Sequence, residues 1–186
     1  MNVYIDLGAF RGLYIKRFRN SKMYQPGSKI YAFECNPYLR NFNYGSDVTT
    51  IHKAAWISNG ELKFYISKKH PSVVQGSSVY KEKRTGNLDK EHPRTIPCID
   101  FPQWIRDRFK KEDTIIIKSN IEGAEYDILE KMIEDGTIEY INILFCQFHW
   151  ERIGISKERH IKLVSKLNKL PLKFYSGYGN FMKAIP

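Results

Sequence analysis

A single carboxylate, Glu34, stands at the end of one apolar run, Lys29-Ile30-Tyr31-Ala32-Phe33. Two glycines, Gly8 and Gly12, follow another such run, Val3-Tyr4-Ile5-Asp6-Leu7. Both runs read as buried parallel strands. Glycines placed there let the backbone turn tightly and approach a ligand before a helix begins near Arg11. The two oxygens of Glu34 are suited to accept both hydroxyls of a ribose. Residues 6 to 34 therefore predict one βαβ unit that cradles a nucleoside, with Asp6, Gly8, Ala9, Phe10, Gly12, Glu34, Cys35 and Asn36 at its mouth.

The spacing of the glycines separates two kinds of ligand. A dinucleotide site uses Gly-x-Gly-x-x-Gly, whose middle glycine lets a pyrophosphate sit against the helix start. Here the pattern is Asp-x-Gly-x-x-x-Gly, with Phe10 at the turn. A bulky side chain there argues against pyrophosphate. S-adenosylmethionine carries only a carboxylate and an ammonium at that end, groups that the loop amides and Asp6 are placed to bind. A plain strand-to-helix turn explains Asp6, Gly8 and Gly12 alone equally well; Glu34 in register favours the methyl donor.

Further polar residues follow other predicted strands: Trp56, Asn120 with Glu122, and Gln147 with His149. Each has an ordinary structural use, as a helix cap or a core side chain. Delivery of several of them to one rim points to chemistry. Methyl transfer is an in-line displacement, and a sugar hydroxyl attacking the methyl carbon benefits from a general base. His149 is the first candidate, because neutral imidazole titrates near neutral pH. Glu122 is second, its basicity reduced by a helix start, and Lys118 and Asn120 complete the catalytic set. Asn120, Glu122 and Gln147 would make an oxygen-rich site of low charge, which suits Mg²⁺ and not zinc.

The elements that must position these groups alternate strand and helix, which predicts an α/β fold: an open, mostly parallel sheet with helices on both faces. Val48 to Trp56 reads as one strand, and Ser58-Asn59-Gly60 as a turn into a half-exposed hairpin strand, Glu61 to Ile66. Ser67 to Arg94 has little periodicity and is expected to be a lid or acceptor-binding loop. Asp100 caps a helix, Thr114 to Lys118 is the central strand, and a helix from Glu122 buries Tyr126, Leu129, Met132 and Ile133. Ile141 to Phe145 is another strand, Ser156 to Leu170 the last helix, and Lys173 to Tyr175 with Phe181 to Ile185 a terminal hairpin.

The chain has 186 residues, room for a single domain, 1–186. No apolar stretch is long enough to span a membrane and no basic, apolar leader opens the chain, so cytoplasmic is the default. Its net charge of +10 attracts anionic partners, nucleic acid and acidic glycans among them. Most of the basic residues are scattered, and Lys81-Glu82-Lys83-Arg84 lacks the interleaved aromatics of an RNA platform.

Ile117-Lys118-Ser119-Asn120-Ile121-Glu122-Gly123-Ala124-Glu125, with Tyr4 to Ala9 and Ala32 to Pro37, resembles the FkbM family of S-adenosylmethionine-dependent methyltransferases. Lys53 to Trp56, Gly76-Ser77-Ser78 and Thr95 to Asp100 follow that family's order of motifs. The resemblance implies a Rossmann-like class I methyltransferase with a seven-stranded sheet, its last strand antiparallel. It also implies O-methylation of sugar hydroxyls in glycans or natural products, and adds Ala54, Ala55, Ser77 and Ser78 to the donor site. The family usually carries Asp at position 120 and Glu at position 147, so Asn120 and Gln147 remove two carboxylates. Two rivals therefore stand beside the sugar methyltransferase: a cap or ribose methyltransferase acting on RNA, and a non-catalytic module that binds S-adenosylmethionine. The sugar or glycan acceptor has a wider setting too, a homo-oligomer or a larger glycan-assembly protein.

Overall fold

The computed structural model describes residues 1–68 and 76–177. Six strands form the main sheet: β1 (Asn2–Leu7), β2 (Lys29–Phe33), β3 (Val48–Ile51), β7 (Thr114–Ser119), β8 (Ile141–Cys146) and β9 (Lys173–Ser176). Their order is β3-β2-β1-β7-β8-β9, and every neighbouring pair is parallel. The chain builds outward from β1 in one direction and then from β7 in the other. Such a reversal opens a crevice beyond the carboxyl ends of the two central strands. This is the Rossmann-like α/β architecture the alternation of elements predicts.

Period-two alternation assigns each central side chain to a face. Val3, Ile5 and Leu7 of β1 join Ile115 and Ile117 of β7 in a core shared with α2 (Phe101–Arg108), α3 (Glu125–Glu134) and α5 (Lys157–Leu167). Tyr4 and Ile116 point the other way, onto Ile15 and Phe18 of α1 (Leu13–Arg19). The rings of Tyr4 and Phe18 stack at 4.3 Å. Asp100 caps α2 by accepting from the Gln103 amide at 3.0 Å, and Ser156 caps α5 through Arg159 at 3.1 Å. No helix among the described residues is long and apolar enough to cross a membrane.

Several expectations change. The run from Val48 to Trp56 is two strands: β3 stays in the main sheet, while β4 (Ala54–Trp56) joins a second sheet of order β4-β6-β5. The chain leaves strand geometry at His52 and Lys53, so its second half pairs elsewhere. β5 (Gly60–Phe64) forms no hairpin with β4, because β6 (Arg94–Asp100) lies between them, parallel to β4 and antiparallel to β5. Closing this small sheet takes a partner more than thirty residues away, which local alternation cannot reveal. The antiparallel strand and hairpin arm at Phe181 to Ile185 lie outside the described residues. The other arm, β9, pairs parallel with β8.

The segment after Ile66 is less formless than its composition suggests. Residues 69–75 lie outside the described residues. On either side of them, Tyr65 and Ser78 exchange backbone hydrogen bonds at 2.8 and 3.1 Å, and the Lys68 amide donates to Asn87 at 2.8 Å. This ties the segment across the open end of the crevice.

Candidate active site

The carboxyl ends of the strands surround a cavity of about 550 Å³. Its rim is fixed by hydrogen bonds that continue past the strands. The amides of Gly8 and Ala9 donate to the Phe33 carbonyl at 3.0 Å, that of Asn120 to Leu7 at 3.0 Å, and that of Gln147 to Ser119 at 2.9 Å. Gly8 is the residue this geometry cannot exchange: its φ is +75°, and a Cβ there would lie 2.2 Å from the Asn120 carbonyl oxygen.

Glu34 is buried beside the loop, with Oε2 accepting from the Phe10 amide at 2.7 Å and Oε1 from Asn36 at 2.8 Å. Burial pushes its carboxyl upward, and those two amides pull it back. Each oxygen uses one lone pair and keeps another for a ligand hydroxyl. Glu34→Ala is expected to weaken S-adenosylmethionine binding by about 1.5–3 kcal/mol, the range for hydrogen bonds to a charged group. Calorimetric titration with S-adenosylhomocysteine checks it, and an unchanged affinity removes Glu34 from the ribose site.

The other end of the cradle differs from expectation. Asp6 is 0 % exposed and does not line the cavity. Its Oδ1 receives the Lys118 ammonium at 2.8 Å, and Lys118 also donates to the Gly8 carbonyl at 2.9 Å. The loop amides of Gly8, Ala9, Phe10 and Gly12 are already committed to Phe33, Glu34 and Ala9. Lys118 also reaches the Leu7 carbonyl at 3.4 Å, so its three N–H groups are committed and it fixes the loop at this margin of the cavity. Asp6 acts through it, with burial raising the aspartate and Lys118 opposing the rise. Asp6 Oδ2 and Asn120 Oδ1 are buried without a hydrogen-bond partner, and Asn120 lines the cavity, so an acceptor stands ready for a polar ligand there.

Past the cradle lies His149, 4 % exposed, with Nδ1 2.9 Å from Glu125 Oε1. A carboxylate only accepts, so Nδ1 donates in this contact. The other oxygen of Glu125 accepts from the Gly123 amide at 2.8 Å, which locks the carboxylate. Nε2 stands 3.6 Å from Glu122 Oε2. That same oxygen is ion-paired with Lys83 Nζ at 2.9 Å. Glu122 itself adopts a left-handed backbone, φ 54°, and precedes α3 instead of starting it. Its charge is balanced by Lys83 and not by a helix end.

Lys83 was not legible in sequence, where it is one of four adjacent charged residues. It is 2 % exposed, and its ammonium also donates to the Gly76 carbonyl. Ser78 Oγ donates to the Glu122 carbonyl at 2.8 Å, the Tyr80 hydroxyl to Asp127, and the Arg84 amide to the Arg152 carbonyl at 2.7 Å. Together these fasten the segment after residue 76 over the acceptor end. Lys83→Met leaves the Glu122 carboxylate without its counter-ion. It is expected to lower the melting temperature and cut turnover at least tenfold while donor affinity holds; a wild-type rate in a folded variant refutes that role.

Of the residues expected at the site, Gly8, Ala9, Phe10, Glu34, Cys35, Asn36, Ala54, Ala55, Ser77, Lys118, Asn120, Glu122, Gln147 and His149 line this cavity. Asp6, Gly12, Trp56 and Ser78 do not. Gly12 packs under the Tyr44 ring at the start of α1, Trp56 packs into the core, and Ser78 is a fastener. Glu125 and Lys83 are the functional groups missed. Glu125 carries a signal, since it opens α3 at the head of that helix's buried face.

The Mg²⁺ set does not form. Asn120 and Gln147 are neutral amides and the remaining carboxylate, Glu122, is held by Lys83. Among the described residues no group of three or more His, Cys, Asp or Glu could hold a metal ion.

The family model described as the methyltransferase FkbM domain matches residues 6–170, from the end of the first strand through the last helix. No curated protein and no solved structure matches the chain. S-adenosylmethionine is the typical methyl donor of such enzymes, and the buried Glu34, with a lone pair left on each oxygen, is a group that suits the hydroxyls of its ribose. A sheet whose switch point, acidic second strand and basic central strand all converge on one matched domain leaves one assignment: the chain belongs to the FkbM methyltransferase family.

Proposed function

We propose that the chain transfers a methyl group from S-adenosylmethionine to a hydroxyl of a sugar or glycan. The observation that supports this best is His149, fixed through Nδ1 by the buried Glu125 while its ring lines the cavity. The donor supplies a methyl carbon on a positively charged sulfur. Glu34 holds its ribose and Lys118 fixes the loop beside it, so the sulfur–methyl axis is aimed before an acceptor arrives; orientation of this kind is worth ~7–11 kcal/mol. His149 Nε2 takes the hydroxyl proton as the oxygen–carbon bond forms and the sulfur–carbon pair returns to sulfur. Lys83 and Glu122 close the site behind the acceptor and exclude water.

The test is transfer of labelled methyl from S-adenosylmethionine by the purified chain to a panel of sugars, oligosaccharides and capped RNA. Label on a sugar oxygen is the expected result. Label on RNA, with an affinity falling steeply with salt, replaces the sugar by a nucleic acid. Donor binding with transfer to nothing in the panel overturns the catalytic reading.

A further inference from the structure

The charges around the cavity identify the class of acceptor, an inference that rests on the sugar methyltransferase reading. Four cationic side chains line the cavity, Arg11, Lys53, Lys118 and Arg152, against two carboxylates, Glu34 and Glu122. Two of these six are cancelled from behind. Lys118 is paired with buried Asp6 at 2.8 Å, and Glu122 with buried Lys83 at 2.9 Å. The acceptor end then presents no unpaired carboxylate to the cavity, because Asn120 and Gln147 are amides and Glu125 is buried and does not line it. Glu34 sits at the donor end, among backbone amides.

Positive charge is left over. Among the described residues neither Lys53 nor Arg152 belongs to an ion pair, although both line the cavity. Arg152 lies three residues beyond His149, on the short helix α4 (Trp150–Ile153), and Glu151 beside it does not line the cavity. Its main chain is joined to Arg84 of the covering segment, which places a second arginine at the same margin. The donor adds no negative charge to balance them, since its sulfonium and ammonium outweigh its carboxylate. Lys53 and Arg152 are both exposed, so their field meets whatever approaches the mouth of the cavity.

We infer that the acceptor is an anionic sugar, one bearing a carboxylate or a phosphate near the methylated hydroxyl, and that Arg152 binds its oxyanion. Guanidinium matches both groups through paired N–H donors. The distance along the chain from His149 to Arg152 is one helical turn, so base and anchor contact neighbouring parts of a single sugar ring.

The experiment compares three acceptors sharing one sugar: a neutral methyl glycoside, its uronic acid counterpart and its phosphate ester. Each is titrated calorimetrically into the chain with S-adenosylhomocysteine present, and each is assayed for methyl transfer. Tighter binding of the charged sugars by at least tenfold, reduced about tenfold by Arg152→Gln and untouched by Lys157→Gln on the exposed face of α5, is expected. A stronger response to the phosphate than to the carboxylate identifies the source of the oxyanion, and the reverse order identifies the other. Equal binding of neutral and charged sugars, or an unchanged preference in Arg152→Gln, overturns the inference while methyl transfer to the neutral sugar upholds the enzyme reading. Because binding is read without turnover, loss of transfer to every acceptor sinks the methyltransferase reading alone.

Discussion

His149→Ala is expected to lower the turnover number by about a hundred- to ten-thousand-fold, the range for removing a positioned general base, with donor affinity unchanged. The imidazole lines the cavity, and the titratable groups named beside it as candidates are paired, Lys118 with Asp6 and Glu122 with Lys83. Removing the ring also strands Glu125, which is 1 % exposed and loses its partner at 2.9 Å. Leaving a buried charged acceptor without its hydrogen-bond partner costs about 1–3 kcal/mol or more, so the rates must be compared below the melting temperature of the variant. Glu125→Gln separates orientation from packing. The Gln amide can donate to Nδ1, which moves the ring proton to Nε2 and disables the base with the side chain still in place; loss of turnover is expected to approach that of His149→Ala. Steady-state kinetics with labelled donor, beside calorimetry with S-adenosylhomocysteine, read both variants. A rate within a few-fold of wild type in His149→Ala removes the histidine from the mechanism.

Gly8→Ala should abolish measurable donor binding and lower stability by about 2–5 kcal/mol. Two costs add: an alanine in left-handed geometry costs ~1–2 kcal/mol, and forcing a methyl into an occupied space costs a further ~1–3 kcal/mol. The obstacle is the Asn120 backbone carbonyl 2.2 Å from the new atom, flanked by Ile121 Cγ2 at 3.3 Å. A backbone carbonyl at the end of β7 cannot rotate away as a side chain would, so the loop carrying Phe10 must move off Glu34. Gly136→Ala is the control. That glycine has nearly the same φ, +77°, with nothing within 4 Å of its added Cβ. It should show the conformational cost alone and keep donor affinity. Thermal melting and donor titration distinguish the two, and equal behaviour of both variants would refute a steric role for Gly8.

The donor half of the site was readable because it is local. Strand, glycine turn, helix and acidic strand end occupy residues 6 to 34, and parallel pairing of adjacent strands brings them together without any remote partner. The residue types also carried their meaning: a glycine at positive φ and a carboxylate at a strand end have few alternative uses. Asp6 shows where that logic stops. Its position at a strand end suggested a ligand contact, whereas one-residue alternation and burial against Lys118 on the neighbouring strand make it a support. Trp56 differs from Ala54 and Ala55 of the same strand, which line the cavity, because its ring packs against the core.

By itself, then, the order of residue types determined an α/β sheet with the Gly8 turn and Glu34 at its switch point, and placed His149 at the rim. Tertiary structure alone decided which charges there are free. Lys83 lies 39 positions before Glu122 in the chain and belongs to a run of similar residues, so no periodicity distinguishes it from Lys81 or Arg84; only folding of that segment over the cavity buries its ammonium. The pairing energy of two ions depends on distance and on exclusion of water, and both are properties of packing between segments remote in sequence.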